Sequence, residues 1–465
     1  MDPGLSPAPA PAGTHSDAAA ARPRVLVIGC GFGGIEAVRA LSKAPVEIIL
    51  VDRTNHHLFQ PLLYQVATAG LSAPAISAPI RHALRREMHR GNLTILKGEV
   101  TAIDVDARTV TLDGGDQVAW DHLIVAAGAT HSYFGHDDWQ RYAPGLKTLA
   151  DAFDIRARVI GAFENAERTG DAAERERWLT FVVIGGGPTG VEMAGTMSEI
   201  AQHTLRHEFR RIDPTRTRVL LLEGTARVLG SFVEKQSARA RAQLERLGVE
   251  VRTGTLVTAI DAEGVDCEAT VDGKPHRERI AARTVIWAAG VAGSPLGAKL
   301  ARGSGATLDR SGRVVVAPDL SLPGHAEISV IGDLASALSH GPGGTTPVPG
   351  VSPAAKQMGR AAAANIVRRL HGLSTRPFRY RDYGNLATVG RKAAVVELAV
   401  PGLGALRFAG LGAWLFWLFA HIYFLIGFRS RLIVMVEWAW AYFTYERGAR
   451  VVAEPARPPA PAPRS

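Results

Sequence analysis

The stretch "RVLVIGCGFGGIEAVRALSKAPVEIILVDR" (residues 24–53) decides how the first part of this chain folds. Its opening apolar run, Val25 to Ile28, is typical of a buried parallel strand. A glycine-rich turn follows, then a segment whose apolar residues recur at helical spacing, then a second apolar run that ends in Asp52. This order of strand, glycine turn, helix, strand and acid predicts a βαβ unit.

The glycines of the turn, Gly29, Gly31 and Gly34, have the G-x-G-x-x-G spacing of a dinucleotide-binding loop. The first allows a tight turn, the second lets backbone N–H groups approach a pyrophosphate, and the third lets the helix pack closely on the strand. The positive end of the helix dipole stabilises that pyrophosphate. Asp52 lies where a carboxylate can hydrogen-bond ribose hydroxyls, so the stretch predicts a bound dinucleotide.

The same pattern recurs in "FVVIGGGPTGVEMAG", whose motif glycines are Gly185, Gly187 and Gly190. The next strand, "RVLLLEG", ends in Glu223, and the long interval before it indicates an insertion around "HTLRHEFRRIDPTRT". An acid at this position favours a free ribose 2′-hydroxyl over a 2′-phosphate. NADH is therefore predicted rather than NADPH, although Arg227 lies close enough in sequence to leave NADPH open.

Two such units predict two dinucleotides, a flavin that is held permanently and a nicotinamide cofactor that exchanges. Two further apolar strands, "HLIVAAGAT" and "TVIWAAGV", end in small-residue turns at Gly128 and Gly290, one in each unit. In "ISVIGDLAS", Asp333 follows a short apolar strand and could accept hydrogen bonds from a flavin ribityl chain. The alternative is that this Gly-Asp pair is only a turn.

Composition argues against several other classes of protein. The chain has 465 residues, of which 46% are hydrophobic and 21% charged, with a net charge of +9. This composition is globular and allows two or three domains, and the positive charge fits anionic lipid or nucleic acid without choosing between them. The two cysteines, Cys30 and Cys267, form no CxxC pair. They therefore argue against a disulfide framework, a dithiol centre or a cysteine zinc site, and favour a reducing, cytoplasmic compartment. The Pro/Ala-rich ends, residues 1–22 and 453–465, predict a disordered arm and tail rather than a secretory signal.

The order of these motifs resembles the two-dinucleotide-binding-domain flavoproteins with the glutathione-reductase-like fold, and among them the type II, non-proton-pumping NADH:quinone oxidoreductases. The likeness covers about residues 24–452. Its specific segments are "NHHLFQPLLYQVATAGL" (55–71), the second glycine motif running into Val191-Glu192, "VIGDLA", "SPAAKQMG" (352–359) and a C-terminal segment beginning "LFWLFAHIYF".

The resemblance implies an α/β fold with two Rossmann-like dinucleotide-binding domains and a C-terminal amphipathic helical membrane-binding region. The implied boundaries are an FAD-binding domain split between residues 23–150 and 305–400, an NADH-binding domain inserted at 151–304, and membrane-anchoring helices at 401–452.

The resemblance also implies which residues hold each cofactor. Those implied for FAD are Gly29, Gly31, Phe32, Gly33, Gly34, Asp52, Arg53, Gly128 and Asp333. Those implied for NADH are Gly185, Gly187, Pro188, Thr189, Gly190, Glu192, Glu223 and Gly290. Glu192 matches a family glutamate beside the nicotinamide and flavin rings and is a predicted catalytic residue. The alternative is that its charge only stabilises the first turns of its helix.

The family's quinone motif, Ala-Gln-x-Ala-x-Gln-x-Gly, resembles "SPAAKQMG", which keeps Ala355, Gln357 and Gly359. Ser-Pro replaces the opening Ala-Gln, so one polar contact expected in the family is missing. Gln357 is the best quinone-site candidate, and Lys356 either supplies another contact or faces solvent.

Three histidines invite a chemical role that the pattern does not favour. His56 and His57 could donate a proton or bind a metal, but no second ligand cluster accompanies them in the sequence. They are predicted to be loop residues near the flavin, and no metal site is predicted. His421 is predicted to be an interface residue rather than a catalytic one.

The C-terminal segment is unusually apolar and aromatic. Residues 410–428 contain His421 as the only ionisable side chain, and as a helix they would reach about 28 Å, against a hydrocarbon thickness of about 30 Å. Residues 432–445 are shorter and contain Glu437. Because Trp and Tyr prefer the headgroup region, we predict two helices lying in or shallowly entering one leaflet; the alternatives are one transmembrane helix or a buried dimer interface. The arginines at the helix ends are expected to pair with anionic lipid phosphates: Arg429, Arg431, Arg447 and Arg450.

The sequence thus predicts a peripheral FAD enzyme on the cytoplasmic face of the inner (plasma) membrane, which oxidises NADH and reduces a ubiquinone-type or menaquinone-type quinone. Proton pumping is not expected, since no membrane-crossing ionisable residues offer a route. The resemblance implies a homodimer, and no nucleic-acid partner is expected. The rival functions are a soluble reductase that passes electrons to a protein such as ferredoxin, and a non-catalytic NADH-binding sensor.

Overall fold

A computed structural model describes residues 22–271, 273–400 and 404–452. The predicted disordered arm, apart from Arg22, and the predicted tail lie outside these residues. The helices and strands follow the hydrophobic pattern of the sequence, and their bounds are given first because every later position refers to them.

The strands, in chain order, are β1 (Arg24–Ile28), β2 (Glu47–Asp52), β3 (His56–Leu58), β4 (Ser77–Pro79), β5 (Leu93–Lys97), β6 (Val100–Asp104), β7 (Thr109–Leu112), β8 (Gln117–Ala119), β9 (His122–Val125), β10 (Ala129–His131), β11 (Thr180–Ile184), β12 (Arg218–Glu223), β13 (Val249–Thr253), β14 (Thr255–Asp261), β15 (Gly264–Val271), β16 (Lys274–Ala281), β17 (Thr284–Trp287), β18 (Val291–Gly293), β19 (Val314–Val315), β20 (Ser321–Leu322), β21 (His325–Val330), β22 (Ala335–Ser336), β23 (Leu338–Gly341), β24 (Gly344–Pro347), β25 (Asn385–Gly390), β26 (Ala393–Val400) and β27 (Gly404–Ala409). The α-helices are α1 (Phe32–Leu41), α2 (Leu63–Ala67), α3 (Ala73–Ile76), α4 (Ile80–Ala83), α5 (Arg85–Met88), α6 (Leu149–Arg168), α7 (Ala172–Trp178), α8 (Pro188–Glu199), α9 (Glu234–Arg246), α10 (Pro295–Ser304), α11 (Ser352–Leu370), α12 (Leu411–Phe424) and α13 (Phe428–Thr444).

The first unit is built on a six-stranded sheet with the order β20-β21-β9-β1-β2-β5. β1 runs parallel to both β2 and β9, and β21 runs parallel to β9. The side chains of Val25, Leu26 and Val27 are fully buried, as a central parallel strand covered on both faces requires. The chain leaves this sheet after β9 and returns to it only with β20 and β21.

The second unit is built on a four-stranded, all-parallel sheet with the order β13-β12-β11-β17. Its central strand β11 is buried along its whole length and leads directly into α8. After α8 the chain continues through a π-helical turn, Ile200–Thr204, before it reaches β12, which accounts for the long interval seen in the sequence. The predicted α/β fold with two Rossmann-like units is confirmed.

A short antiparallel ribbon joins the two units. β10, which follows β9, pairs with β18, which follows β17. The indole N–H of Trp287 also donates to the carbonyl oxygen of Ser132 at 2.9 Å across this junction. The carboxyl ends of the two parallel sheets are therefore tied together.

Residues 385–409 form a separate three-stranded antiparallel sheet, β25-β26-β27. β25 contacts α8, and β26 contacts α9, so this sheet covers helices of the second unit. The sequence prediction assigned residues 385–400 to the FAD-binding domain and described 401–452 as helices. In the structure β27 occupies 404–409, where it pairs antiparallel with β26, and the helices begin only at Leu411.

Two helices end the described chain. They are separated at Leu425–Gly427, where Gly427 has a φ of +85°, so residues 410–428 do not form one continuous helix. Ala413 and Trp417 on α12 and Val434 on α13 are buried against the body of the protein. Within residues 22–271, 273–400 and 404–452, no helix is long and apolar enough to cross a bilayer.

The chain beyond α13 is fastened to the body by arginines. Arg447 pairs with Glu199 at 3.3 Å and also donates to the carbonyl oxygen of Thr68, while Arg450 pairs with Glu208. Arg431 donates to the carbonyl oxygens of Leu425 and Tyr423 at 3.0 Å each. These intramolecular acceptors engage part of the N–H groups of the three arginines. Their pairing with lipid phosphates stays a prediction. Arg429 remains exposed.

Candidate cofactor and electron-transfer site

The first glycine loop has the geometry of a phosphate cradle. Gly29 has a φ of +95° and donates its N–H to Val51 at 2.8 Å, and a Cβ there would lie 2.5 Å from the carbonyl oxygen of Ala126. A Cβ on Gly34 would lie 1.8 Å from the carbonyl oxygen of Gly29. A Cβ on Gly31, by contrast, would meet no protein atom within 4 Å. The open space at Gly31 faces the uncapped first turn of α1, where a pyrophosphate can approach the backbone.

The second glycine loop repeats this arrangement. Gly185 has a φ of +106° and donates to Leu222 at 2.7 Å, and a Cβ on Gly190 would lie 1.8 Å from the carbonyl oxygen of Gly185. A Cβ on Gly187 would again meet no atom within 4 Å. Pro188 and Thr189 open α8, whose first turn has no side-chain cap. The two units therefore offer equivalent cradles for two dinucleotides.

Asp52 and Glu223, the acids at the ends of β2 and β12, accept hydrogen bonds from the backbone of the glycine loops. Oδ2 of Asp52 accepts the N–H of Cys30 at 2.6 Å, and Oε2 of Glu223 accepts the N–H of Gly186 at 2.5 Å. Their other oxygens accept the N–H groups of Thr54 and Thr225, both at 2.7 Å. Each carboxylate is thus fixed before any ribose binds, a local role that the sequence pattern did not indicate.

Asp333 and the start of α11 lie at the same edge of the first sheet as the first glycine loop. Asp333 sits in a 3-10 turn that follows β21, the parallel neighbour of β9. A Cβ on Gly33 would lie 3.1 Å from the side chain of Ile331 and 3.2 Å from the carbonyl oxygen of Ala355. A Cβ on Gly359 would lie 2.2 Å from the carbonyl oxygen of Gly33, so this glycine of the predicted quinone motif lets α11 pack against α1.

The remaining predicted cofactor residues lie at the rim of these cradles. Gly128 has a φ of +67° and accepts the N–H of Ser294 at 3.1 Å, next to the ribbon between the units. Gly290 packs so closely that a Cβ would lie 2.8 Å from the carbonyl oxygen of Ser132. Arg53 is exposed, and the structure gives it no contact with the loop.

A buried histidine provides a test of whether FAD fits the first cradle. His57 is 2% exposed, and its Nδ1 lies 2.7 Å from the carbonyl oxygen of Cys30. Nδ1 therefore carries the proton, which leaves Nε2 as an acceptor that has no partner among the described residues. Burial lowers the pKa of His57 to about 4, so this acceptor is neutral. A cofactor with N–H or O–H donors, as FAD has, would satisfy it. His56 and His57 lie in β3 rather than in a loop, because they pair with β4.

Comparisons with known proteins decide the family. A family model described as pyridine nucleotide-disulphide oxidoreductase matches residues 23–359. A type II NADH:quinone oxidoreductase of Mycobacterium tuberculosis, NdhA, is 44% identical over 93% of this chain and 89% of its own length. A second one from the same organism, Ndh, is 42% identical over 93% and 91%. The chain belongs to the type II NADH:quinone oxidoreductase family. The solved structure of NDH2 from Plasmodium falciparum in complex with NADH is similar in fold, with a TM-score of 0.81, 18% identity, and coverage of 93% of this chain and 100% of that one.

In this type II NADH:quinone oxidoreductase, Glu192 lies in a dry environment one turn into α8. Its side chain is 8% exposed, and burial raises its pKa well above the usual range of a carboxyl group, while a hydrogen bond from the Thr388 backbone opposes this only in part. Desolvation therefore favours the protonated form of this carboxyl group. The catalytic role of Glu192 and its alternative, stabilisation of the first turns of α8 by its charge, both stay predictions. Burial raises the pKa of the Tyr64 hydroxyl, and the charge of the nearby Glu192 carboxylate raises it further.

Lys356 is partly enclosed rather than solvent-facing. Its Nζ lies 5.1 Å from the ring centroid of Phe32 on α1 and 4.7 Å from that of Phe424 on α12. Desolvation is the main reason that the pKa of Lys356 is lowered to about 8. An ammonium group with such a pKa can release a proton near neutrality, at the point where the first glycine cradle and the C-terminal helices meet.

Gln357 points elsewhere. Its Nε2 donates to the carbonyl oxygen of Arg381 at 3.0 Å, and its Oε1 accepts the N–H of Arg381 at 2.9 Å. Its amide group is therefore engaged by Arg381, while Nζ of the preceding Lys356 lies between the rings of Phe32 and Phe424. The quinone contact predicted for Gln357 stays a prediction.

The C-terminal helices also meet this region through His421. Its ring stacks on Trp417 at 4.0 Å between centroids, and its edge meets Phe59 at 6.2 Å. Burial lowers the pKa of His421 to about 4. This histidine therefore packs on the inner side of α12, as a neutral ring against the body of the protein.

The two cysteines are unsuited to redox chemistry as thiols. Cys30 is 1% exposed in the first glycine loop and Cys267 is 4% exposed in β15. Burial raises the pKa of both thiols, so neither is a ready thiolate. This separates the chain mechanistically from the dithiol members suggested by the broader family's name.

Sequence reasoning missed a polar chain that runs from α2 to α13. The hydroxyl of Tyr64 accepts from Nε2 of Gln65 at 2.8 Å, and Oε1 of Gln65 accepts the indole N–H of Trp438 at 2.7 Å. These bonds link the surroundings of Glu192 to the C-terminal helices. The only sequence signal was that Tyr64 and Gln65 lie in the family-specific stretch 55–71, which by itself assigned them no role.

Proposed function

We propose that this chain oxidises NADH and reduces a membrane quinone through a bound FAD, without pumping protons. The observation that carries the proposal is that two sheets, each with a glycine cradle, are joined by the β10-β18 ribbon, while Phe424 of the aromatic helix α12 lies beside Lys356 next to the first cradle. Type II NADH:quinone oxidoreductases at 42–44% identity over 93% of the chain support the same activity. FAD, when bound, accepts a hydride from NADH and passes two electrons to the quinone.

The residues of the chain would divide the remaining tasks. The loop at Gly31 and the carboxylate of Asp52 would bind FAD, and the loop at Gly187 and the carboxylate of Glu223 would bind NADH. Glu192, whose pKa is raised by burial, would hold a proton between the two cradles. Lys356 would supply charge, or a proton, on the side of the helices.

An anaerobic titration tests this function directly. Purified protein should be yellow, should lose its flavin absorbance on addition of NADH more readily than on addition of NADPH, and should regain it on addition of quinone. Protein that stays colourless after reconstitution with FAD would refute the proposal. Bleaching without recovery on quinone would instead favour a protein acceptor such as ferredoxin, and absence of bleaching a sensor.

We also propose that the two C-terminal helices place the enzyme on a membrane. An outer stripe of exposed apolar side chains follows both helices: Leu411, Leu415, Phe419, Tyr423, Phe428, Leu432, Val436, Trp440 and Phe443. Phe419 is 68%, Phe428 80% and Phe443 81% exposed, which is unusual for side chains of this size. The spacing of four residues along α12 puts its members on one face, so a leaflet can bury them together.

Point substitutions test the membrane placement better than truncation, because removing residues from 405 onward would also remove β27 and the buried Trp417. Phe419→Ser, Phe428→Ser and Phe443→Ser combined should weaken sedimentation with lipid vesicles at least tenfold. Leu256→Ser is the matched control, because Leu256 is 63% exposed on β14, away from the helices. Equal binding by both variants would contradict the placement.

Location on the cytoplasmic face, the domain boundaries and a homodimer remain proposals that rest on the family resemblance. Analytical ultracentrifugation of detergent-free protein would measure the oligomeric state. A monomer at micromolar concentration would contradict the homodimer.

A further inference from the structure

Positive charge is in excess in a cleft between α8, the turn from β25 to β26, and α13. Arg391 and Lys392 form the turn, and Arg447 enters from the segment after α13. The nearby carboxylate of Glu199 is already engaged on both oxygens, by Arg447 at 3.3 Å and by the backbone N–H of Arg391. The lining of the cleft thus holds two guanidinium groups, those of Arg391 and Arg447, and one carboxylate, that of Glu199. The pKa of Arg447 is lowered by burial and, to a smaller extent, by the charge of Arg391.

The other carboxylates on this part of the chain do not restore the balance. Glu437 accepts hydrogen bonds from Ser72, and Glu446 accepts the indole N–H of Trp440. Each is therefore engaged away from the turn.

The guanidinium group of Arg391 lies against two tyrosine rings, and two of its buried nitrogens have no hydrogen-bond acceptor among the described residues. Its guanidinium lies 3.8 Å from the ring centroid of Tyr445 and 4.6 Å from that of Tyr442. Its Nε and Nη1 are buried, and within the described part of the chain neither has a hydrogen-bond partner. Buried donors that remain unpaired are unfavourable, the more so on a charged group, so the position demands an oxygen acceptor. The following residue, Lys392, has a φ of +62°, a strained value for a side chain of this kind.

A second unpaired donor lines the same cavity. Trp417 is 2% exposed, and its indole Nε1 is buried without a partner among the described residues. The cavity has a volume of about 110 Å³ and opens to solvent, and Trp414, Leu418 and Trp438 contribute apolar walls. A ligand that satisfies this cavity has anionic oxygens at one end and an apolar body.

We propose that this cleft binds the phosphate of an anionic phospholipid through Arg391, with part of the lipid's apolar body along the tryptophan walls. The assignment rests on the proposed membrane placement, because α13 also carries Trp440 and Phe443 of the outer stripe. A quinone has no negative charge and would leave the surplus of cations unbalanced. The site would give the enzyme a preference for anionic lipid beyond what unspecific attraction provides.

The test compares two arginine variants on two kinds of vesicle. Vesicles of pure phosphatidylcholine and of equimolar phosphatidylcholine and phosphatidylglycerol are titrated with the holoenzyme, and the ratio of the two affinities is measured. An arginine near an anionic surface contributes about fivefold to affinity without any specific site. Arg429→Gln, which removes an exposed charge at the start of α13, should lower the ratio by no more than this. Arg391→Gln should lower it by about twentyfold or more. Flavin absorbance and ferricyanide reduction report whether each variant is folded.

The outcomes separate this inference from the membrane placement itself. If Arg391→Gln lowers the ratio no more than Arg429→Gln, the phospholipid site is refuted while the membrane placement stands. If wild-type protein binds neither kind of vesicle, both proposals fail.

A second measurement uses only wild-type protein and distinguishes lipid from free phosphate. Short-chain phosphatidylglycerol below its micellar concentration should raise the melting temperature, and inorganic phosphate at equal concentration should not. An equal shift with inorganic phosphate would overturn the lipid assignment, and no shift with either would overturn the site.

Discussion

Gly31→Ala and Gly187→Ala are the same change at the equivalent place in the two units, and they should remove different cofactors. Gly31 precedes α1 and Gly187 precedes α8, and at neither position would an added Cβ meet a protein atom within 4 Å. The methyl group would therefore occupy only the space through which a pyrophosphate approaches the helix N-terminus. The substitutions separate binding of FAD from binding of NADH.

The geometry sets the expected size of each effect. Gly31 has φ −68° and ψ −166°, and Gly187 has φ −69° and ψ 179°, which alanine adopts without strain. Replacing the glycine helix cap by alanine destabilises the folded protein, whereas the lower flexibility of alanine in the unfolded chain stabilises it. These effects oppose each other, so the free energy of unfolding of the cofactor-free protein should change by less than about 1 kcal/mol. A cofactor present at a hundred times its Kd stabilises the folded state by about 2.7 kcal/mol, which Gly31→Ala should lose when FAD is the ligand.

The assay measures three properties of each variant: folding, flavin absorbance and the KM for NADH. Gly31→Ala should purify folded but without flavin absorbance. Gly187→Ala should purify yellow, with KM for NADH raised at least tenfold, or about 1.4 kcal/mol in binding. Gly34→Ala is the contrasting variant, because its Cβ would lie 1.8 Å from the carbonyl oxygen of Gly29 and should destabilise the protein even without cofactor.

The reasoning would be refuted by either of two results. One is Gly31→Ala that retains a full complement of FAD, which would mean that the pyrophosphate does not approach Gly31. The other is Gly187→Ala that purifies without FAD but binds NADH with unchanged affinity in a direct binding measurement, which would reverse the assignment of the two units.

Three further predictions concern charge. Glu192→Gln should lower quinone reduction by about a hundredfold, as expected for loss of a positioned acid. Because the folded pKa of Glu192 is raised, its stabilising effect is complete below the unfolded value of 4.5 and is lost as pH rises through the folded pKa. Glu192→Gln should therefore lose less stability than wild type between pH 5 and pH 9 in urea unfolding, and equal losses would contradict the buried acid. Lys356→Met should abolish an inflection near pH 8 in the rate of quinone reduction, where the wild-type rate falls as Lys356 loses its proton; an inflection that persists in the variant would assign it to another group. Glu223→Gln removes the negative charge that disfavours a 2′-phosphate, and it leaves either Gly186 or Thr225 without an acceptor. The ratio of kcat/KM for NADH to that for NADPH should therefore fall about tenfold or more, or about 1.4 kcal/mol. An unchanged ratio would show that Glu223 does not select the cofactor.

The glycine loops illustrate what could be read from the sequence alone. Gly29 and Gly34 are constrained by atoms within the same loop or on the adjacent strand, as the clash of a Gly34 Cβ with the Gly29 carbonyl shows. Such constraints act over a few residues and leave a fixed spacing in the sequence. The same locality made the ends of the strands, and therefore Asp52 and Glu223, predictable.

The quinone motif illustrates what could not be read. Lys356 and Gln357 are adjacent in sequence, but their side chains have different surroundings. Lys356 is desolvated between Phe32 and Phe424, whereas Gln357 forms two hydrogen bonds with the backbone of Arg381. Which of the two faces the helices depends on the rotation of α11, and that is set by its packing at Gly33 and Gly359. No pattern within the motif specifies this rotation.

The arginines of the C-terminal segment show the same limit. From sequence, Arg447 and Arg450 looked like partners for lipid, yet Glu199 and Glu208, more than two hundred residues earlier, take them up. Arg391 attracted no attention in the sequence, yet its buried Nε and Nη1 have no acceptor in the part of the chain that the structure describes.

The sequence by itself determined the two βαβ units, their cofactors and the apolar character of the final helices, because turn geometry, strand burial and composition are properties of short segments. The tertiary structure alone decided that the pKa of Glu192 is raised, that the pKa of Lys356 is lowered and that two buried nitrogens of Arg391 have no hydrogen-bond partner among the described residues. These properties arise from desolvation and from charges brought together by distant parts of the chain. Both effects depend on which surfaces exclude water after folding. That cannot be derived from the order of residues along the chain, because it depends on which distant segments pack together.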